Sequence, residues 1–505
     1  MNIPELLETC AGLIDDGRNE EGLALCDTIL AEDPKSDLAW FLRGSALINL
    51  NRTKDALEPL NKALALKPRN ALYLCMQGTA LLELGRKTEA EKAFNRARSL
   101  NPVLDAAWSG LGTIYLSHNN YHGALEAFTR SLEINPGYAP CWQRKAFCQF
   151  MLDRLGESLE SYERSIALDP ENAVAWADKA FVLSRLERED EALKAYDRAT
   201  HISPENPGIW YNKGCLLASC GRYRQAQKAF ETAIAKKPDF AEAWSNRGIA
   251  LSKLLLDDEA MASHDHAIAL DPTVKASWNN KGQLLERLGR YEEALVQFNK
   301  AIALDPQYVR ARFNKGLALS GLGRYAEALP EFDRVILANY DDADAWDQKA
   351  RALAEIGEYR EALEAYDHLL GLEPGESYVL FNIACIYANQ RHYVKAAKAF
   401  DVVIAQCPGH VNAWYYKATM FADLRWSKKA LEAYDTMLAL DPTHALAWIG
   451  KGQAYDSLNQ YDEAISCYEK AIRIDPKDSR FQQLIDTARA KKNKIRDLAK
   501  RGGKR

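Results

Sequence analysis

The chain lacks the residue spacings that usually carry chemistry. Ten cysteines are spread through 505 residues, yet no two form CxxC and none joins a histidine at zinc-ligand spacing. Cys10, Cys26 and Cys467 fall where small buried side chains are wanted, and they read as reduced thiols of a cytoplasmic protein. No apolar run approaches the roughly 18 residues of a membrane span. The start, MNIPELLETC, has neither the basic residues nor the apolar stretch of a signal peptide. No membrane span and a cytoplasmic location are therefore expected. The net charge of −5 is too small to announce a nucleic-acid binder.

Catalytic signatures are missing too. There is no glycine-rich phosphate loop, no GxSxG, no HExxH and no DxDxDG. His264 and His266 stand two apart on one helix and cannot face each other. His118 and His122 straddle a turn and read as solvated. The expectation is no catalytic residue, no metal and no cofactor, hence no enzyme.

What the chain has is a period. Residues 275–308, KASWNNKGQLLERLGRYEEALVQFNKAIALDPQY, reappear in varied form 34 residues away in both directions. The unit tiles residues 3–476 as fourteen copies starting at residues 3, 37, 71, 105, 139, 173, 207, 241, 275, 309, 343, 377, 411 and 445. Such a period fixes the architecture before any single residue is argued. Position 4 is Trp in ten copies, position 8 is Gly or Ala in all but the first, position 20 is Ala in twelve, and position 32 is Pro in thirteen. Positions 4, 8 and 11 share a helix face, and small residues at 8 and 20 let a partner helix come close. Gly or Asn at position 15 suits a left-handed cap. Pro at 32 ends the second helix. Each copy therefore predicts a helix, a tight turn, a second helix and a short connector.

This pattern resembles the tetratricopeptide repeat over about 475 residues. The resemblance implies an all-α solenoid, a right-handed superhelix of antiparallel helix pairs whose first helices line a concave groove. Residues 477–498 read as a capping helix and 499–505 as a disordered basic tail. Arg312 in place of Trp, Pro330 inside a helix and Tyr340 in place of Pro predict a change of curvature near residues 330–345.

In the family, positions 2, 5, 6, 9, 12 and 13 of the first helix face the groove. Repeats one to six place apolar side chains there, including Leu38, Phe41, Leu42, Leu72 and Met76, and later Phe147, Phe150, Met151 and Phe181. These are expected to meet an amphipathic partner helix, or a second copy of the chain through this N-terminal half. Later repeats place Asn at position 6: Asn212, Asn246, Asn280, Asn314 and Asn382, with Tyr415 further on. A primary amide both donates and accepts, so an amide row could grip a peptide backbone. The arrangement is similar to the asparagine ladder in the repeat domain of O-GlcNAc transferase. The two-carboxylate clamp of chaperone-binding relatives is not matched by any three consecutive repeats. Lys or Arg at position 7 reads as a snorkelling stem meeting nearby carboxylates. The sequence thus predicts a scaffold for a protein or peptide; the alternative is a regulatory or targeting subunit of a separately encoded enzyme. Nucleic acid is left only the basic tail, which lacks interleaved aromatics.

Overall fold

The structure, a computed structural model, describes residues 2–476 and 478–502. Among them are 29 helices and no strand. The chain is an all-α solenoid of antiparallel helix pairs. Ile3–Asp15 and Asn19–Glu32 form the first pair, and Asp37–Asn49 and Thr53–Leu66 the second. Pair follows pair at 34-residue intervals to Ala445–Ser457 and Tyr461–Ile474. Two compact units divide it, Met1–Ser263 and His264–Arg505.

The turn inside each pair is left-handed at position 15 in all fourteen repeats, with φ between 57° and 89°. Glycine and asparagine adopt this region at little cost. Glu187, Leu255, Arg391 and Arg425 adopt it as well, so the turn is imposed by packing of the two helices and not by the residue alone.

Within a pair, position 8 faces position 24. A methyl group on Gly112 would come within 2.6 Å of the Phe128 ring, and one on Gly282 within 2.5 Å of Phe298. The small residue is what lets the ring enter. Phe94, Phe128, Tyr196, Phe230, Phe298 and Phe400 are all buried there, each ring contributing about 2–3 kcal/mol of apolar burial.

Between repeats, one hydrogen bond recurs. All ten position-4 tryptophans donate Nε1–H to the carbonyl six residues back, at 2.8–3.0 Å. That carbonyl belongs to position 32 of the preceding repeat. Position 7 then closes over the same ring. Lys213 Nζ lies 4.9 Å from the Trp210 ring centre and 2.7 Å from Asp197. Lys417 repeats this on Trp414 and Asp401, and Lys349 on Trp346 and Asp333. The cationic side chains at this position are thus tied into the repeat joints.

Repeat ten keeps this design by other means. Arg312 donates from Nε and Nη2 to the Pro306 carbonyl, at 3.0 and 2.7 Å, where Trp would donate once. It also pairs with Glu331 at 2.8 Å, and both side chains are largely buried. The helix Tyr325–Ala338 runs unbroken through Pro330. Tyr340 still offers its carbonyl to Trp346, at 2.9 Å, and its ring packs edge-on against Trp346 and His368. The breaks that led to the expected change of curvature at 330–345 are not breaks in the joint: the helix is continuous, and Arg312 and Tyr340 supply the usual donor and acceptor.

The last helix, Ser479–Gly502, packs Phe481, Ile485 and Ala488 on Ile449, Tyr461, Ala464 and Tyr468. It continues through residues 499–502, where the sequence suggested a disordered tail; residues 503–505 lie outside the described residues. Lys491 and Lys492 pair with Asp456 and Asp462 of repeat fourteen. The nearer part of the basic segment is thus spent on intramolecular ion pairs.

Candidate partner-binding surface

In the first unit, the expected apolar contact residues separate into two groups. Leu38 and Leu72 are exposed, at 39% and 46%, and Met76 is half-buried. Phe41 and Leu42 are buried, which corrects their assignment to the surface. Phe41 stacks on Tyr73 of the next repeat, with ring centres 4.6 Å apart, and Leu42 belongs to the core of the first repeats. The partner that hides Phe41 is an aromatic residue at position 3, which no other repeat has in that place.

Further along, the exposed surface becomes aromatic. Phe147 and Met151 sit one turn apart on Ala139–Met151, exposed at 40% and 41%. Phe181, on the next first helix, Ala173–Arg185, is exposed at 47%. Phe150 joins them, its ring 5.4 Å from that of Phe181 and edge-on to it. The Arg185 guanidinium lies 6.0 Å from the Phe150 ring. Beside Phe181 opens a pocket of about 250 Å³, lined by Ser184, Glu189, Tyr196, Asn212, Cys215 and Ser219 among others.

The asparagine row behaves differently from expectation. Asn212 is exposed and lines that pocket. Asn246 is half-buried, its Nδ2 donating to the Tyr211 hydroxyl at 3.0 Å and lying 3.4 Å from Cys215 Sγ. Asn314 is buried, and its Nδ2 donates to Asn279 Oδ1 at 2.9 Å, so it is corrected from groove contact to internal bond. Asn382 is half-buried, and it opposes the rise that burial causes in the Tyr366 pKa. Asn280 and Tyr415 are half-buried; the Tyr415 ring lies 4.9 Å from that of His444.

A rule underlies these contacts. Position 6 of one repeat meets position 5 of the repeat before it, 35 residues earlier. Tyr211–Asn246 and Asn279–Asn314 are two cases. Gln143 donating to Asp178 at 3.2 Å is a third, and Phe381 against Tyr416 is its aromatic version. Burial pushes the Asp178 carboxyl above its ordinary range, and its bonds from Gln143 and Tyr162 oppose this. The pairing was findable in the sequence as complementary side chains 35 residues apart, a spacing one beyond the repeat. Among the described residues, no group of three His, Cys, Asp or Glu is placed to hold a metal ion, and no helix is long and apolar enough to cross a membrane.

Helical hairpins of constant length, closed by a small-to-ring contact inside each pair and a Trp–carbonyl bond between pairs, define a helical-repeat solenoid. The chain belongs to the tetratricopeptide repeat family. Tetratricopeptide repeat models match residues 13–78, 265–296, 282–323, 313–377, 348–411 and 445–478. A model described as the C-terminal domain of cilia and flagella-associated protein 70 matches residues 73–245. Comparison with curated proteins finds no match. Among solved structures, YrrB, described as a repeat protein with an unusual peptide-binding site, is 25% identical with a TM-score of 0.32, over 37% of this chain and 97% of its own. The Cut9–Hcn1 hetero-tetramer of the APC/C is 15% identical with a TM-score of 0.37, over 97% and 96%. The Naa15/Naa10 complex bound to HypK-THB is 15% identical with a TM-score of 0.30, over 99% and 98%.

Proposed function

We propose that the protein is a non-enzymatic scaffold that holds a partner polypeptide on the first-helix faces of its first unit. The observation that carries this is the exposure of Phe147, Met151 and Phe181 on adjacent first helices. Apolar side chains of this size, grouped on one face, are what a protein partner covers. The partner is an amphipathic helix. Its apolar face lies on Phe147, Phe150, Met151 and Phe181, and one aliphatic side chain enters the pocket beside Phe181. Asn212 at the pocket rim bonds the partner's backbone, and Arg185 favours an acidic residue next to the apolar face. Leu38, Leu72 and Met76 form a second contact on the same unit. Asn246, bonded to Tyr211 of the preceding repeat, positions the helices next to this face.

A photo-reactive amino acid placed at Phe181 tests the reading. Cross-linking of a discrete polypeptide from there, and not from the still more exposed Leu337 position, is expected. Equal labelling from both positions would remove the basis for a specific face. A catalytic chain as the cross-linked product would make the protein a targeting subunit.

A further inference from the structure

Cys10 and Cys26 are both fully buried, and their sulfurs lie 2.9 Å apart. A covalent disulfide is about 2.05 Å long, so the sulfurs need to close by only about 0.9 Å. They stand at positions 8 and 24 of the first repeat. These are the positions that the hairpin brings face to face elsewhere, as Gly112 to Phe128 and Gly282 to Phe298. Every other repeat puts a small residue at the first position and a bulky one at the second. The first repeat alone puts sulfur at both. The register that packs a ring against a glycine in the other hairpins here packs thiol against thiol.

We propose that Cys10 and Cys26 form a reversible disulfide that ties the helix Ile3–Asp15 to the helix Asn19–Glu32 when the protein meets hydrogen peroxide. The Cys10 thiolate attacks one peroxide oxygen, and the O–O bond breaks. Cys10 becomes a sulfenic acid, and the other oxygen leaves as hydroxide and takes up the proton the Cys10 thiol had given up, forming water. Cys26 sulfur then attacks Cys10 sulfur, the S–O bond breaks, and the hydroxyl leaves as a second water with the Cys26 proton. The two thiols lose two electrons and the peroxide gains them. The hydrogen bond from Cys26 holds the Cys10 thiol below its ordinary pKa, and the same bond pushes Cys26 up. Cys10 is thus the attacking sulfur and Cys26 the resolving one. Cys10 Sγ also lies 3.2 Å from the Gly22 carbonyl oxygen, which fixes its direction.

The full chain is treated with graded hydrogen peroxide, alkylated without reductant, digested and read by mass spectrometry. Cys407, the exposed cysteine, gauges whether the oxidant has acted. The expected product is a linked peptide pair carrying Cys10 and Cys26, two hydrogens lighter than its parts and separated by dithiothreitol. In Cys26→Ser, Cys10 should instead be trapped by dimedone as the sulfenic acid. Separate alkylation of Cys10 and Cys26 after Cys407 has been oxidised overturns the proposal, and so does pairing of either with another cysteine.

Discussion

His264 shows how one residue can set a pH response. It stands at position 24, where the flanking repeats have Phe230 and Phe298. It is 1% exposed and its Nδ1 has no hydrogen-bond partner. Burial pushes its pKa from 6.5 down to about 4, against a smaller opposing pull from Asp265, with Lys281 adding to the drop. The unfolded chain therefore binds the proton more tightly. The stability tied to a neutral His264 is complete above about pH 6.5 and is lost as pH falls toward 4. A separation of about 2.5 in pKa corresponds to about 3 kcal/mol. His264→Phe should flatten that part of the stability profile, which urea unfolding at pH 7 and pH 4.5 would detect. An unchanged acid loss would place its cause elsewhere.

The asparagines divide at the same scale. Asn314→Ala removes a buried donor and leaves Asn279 Oδ1 unpaired, so it should cost about 1–3 kcal/mol. Asn212→Ala should leave stability within about 0.5 kcal/mol and weaken partner binding. Denaturation midpoints and binding measured on both variants separate the two roles. Repeat position alone does not distinguish the two residues, since both are Asn at position 6. What differs is the residue 35 positions earlier: Asn279, whose amide oxygen accepts from Asn314, and Ala177, which offers Asn212 no side-chain acceptor.

At the scale of the helix pair, the turn residue and the joint are the sensitive parts. Leu255 holds φ 61° and is 71% exposed, so its side chain contributes little packing in return for the left-handed backbone. Leu255→Gly should therefore stabilise the helix pair by about 1 kcal/mol. Hydrogen exchange across Ala241–Lys253 would show the added protection, and unchanged or faster exchange there would count against turn strain. Arg312→Ala should do the opposite. It removes both donors to Pro306 and one of two cations beside Glu331, and about 1–3 kcal/mol of local stability should go with them. The helices themselves were legible in the sequence because Trp, Gly, Ala and Pro each mark a contact that recurs. The regularity of repeat ten was not, because Arg312 and Tyr340 look like breaks until the bonds they make are known. Phe41 and Leu42 were misread for a related reason: an amphipathic pattern says which face a residue occupies, not whether the next repeat covers it.

At the scale of the whole chain, each repeat rests on its neighbours and stability accumulates joint by joint. Such an array offers a series of first-helix faces. In the proposed reading its specificity lies in the faces that stay apolar and uncovered, which in the first unit include Phe147, Met151 and Phe181. The most direct test compares proteins captured from native lysate by the intact chain, by Phe147→Asp combined with Phe181→Asp, and by Leu337→Asp, with thermal stability measured on each. The account predicts a partner retained by the intact chain and by Leu337→Asp, and lost at least tenfold from the double variant at unchanged melting temperature. Capture of the same partners in equal amount by all three would contradict it.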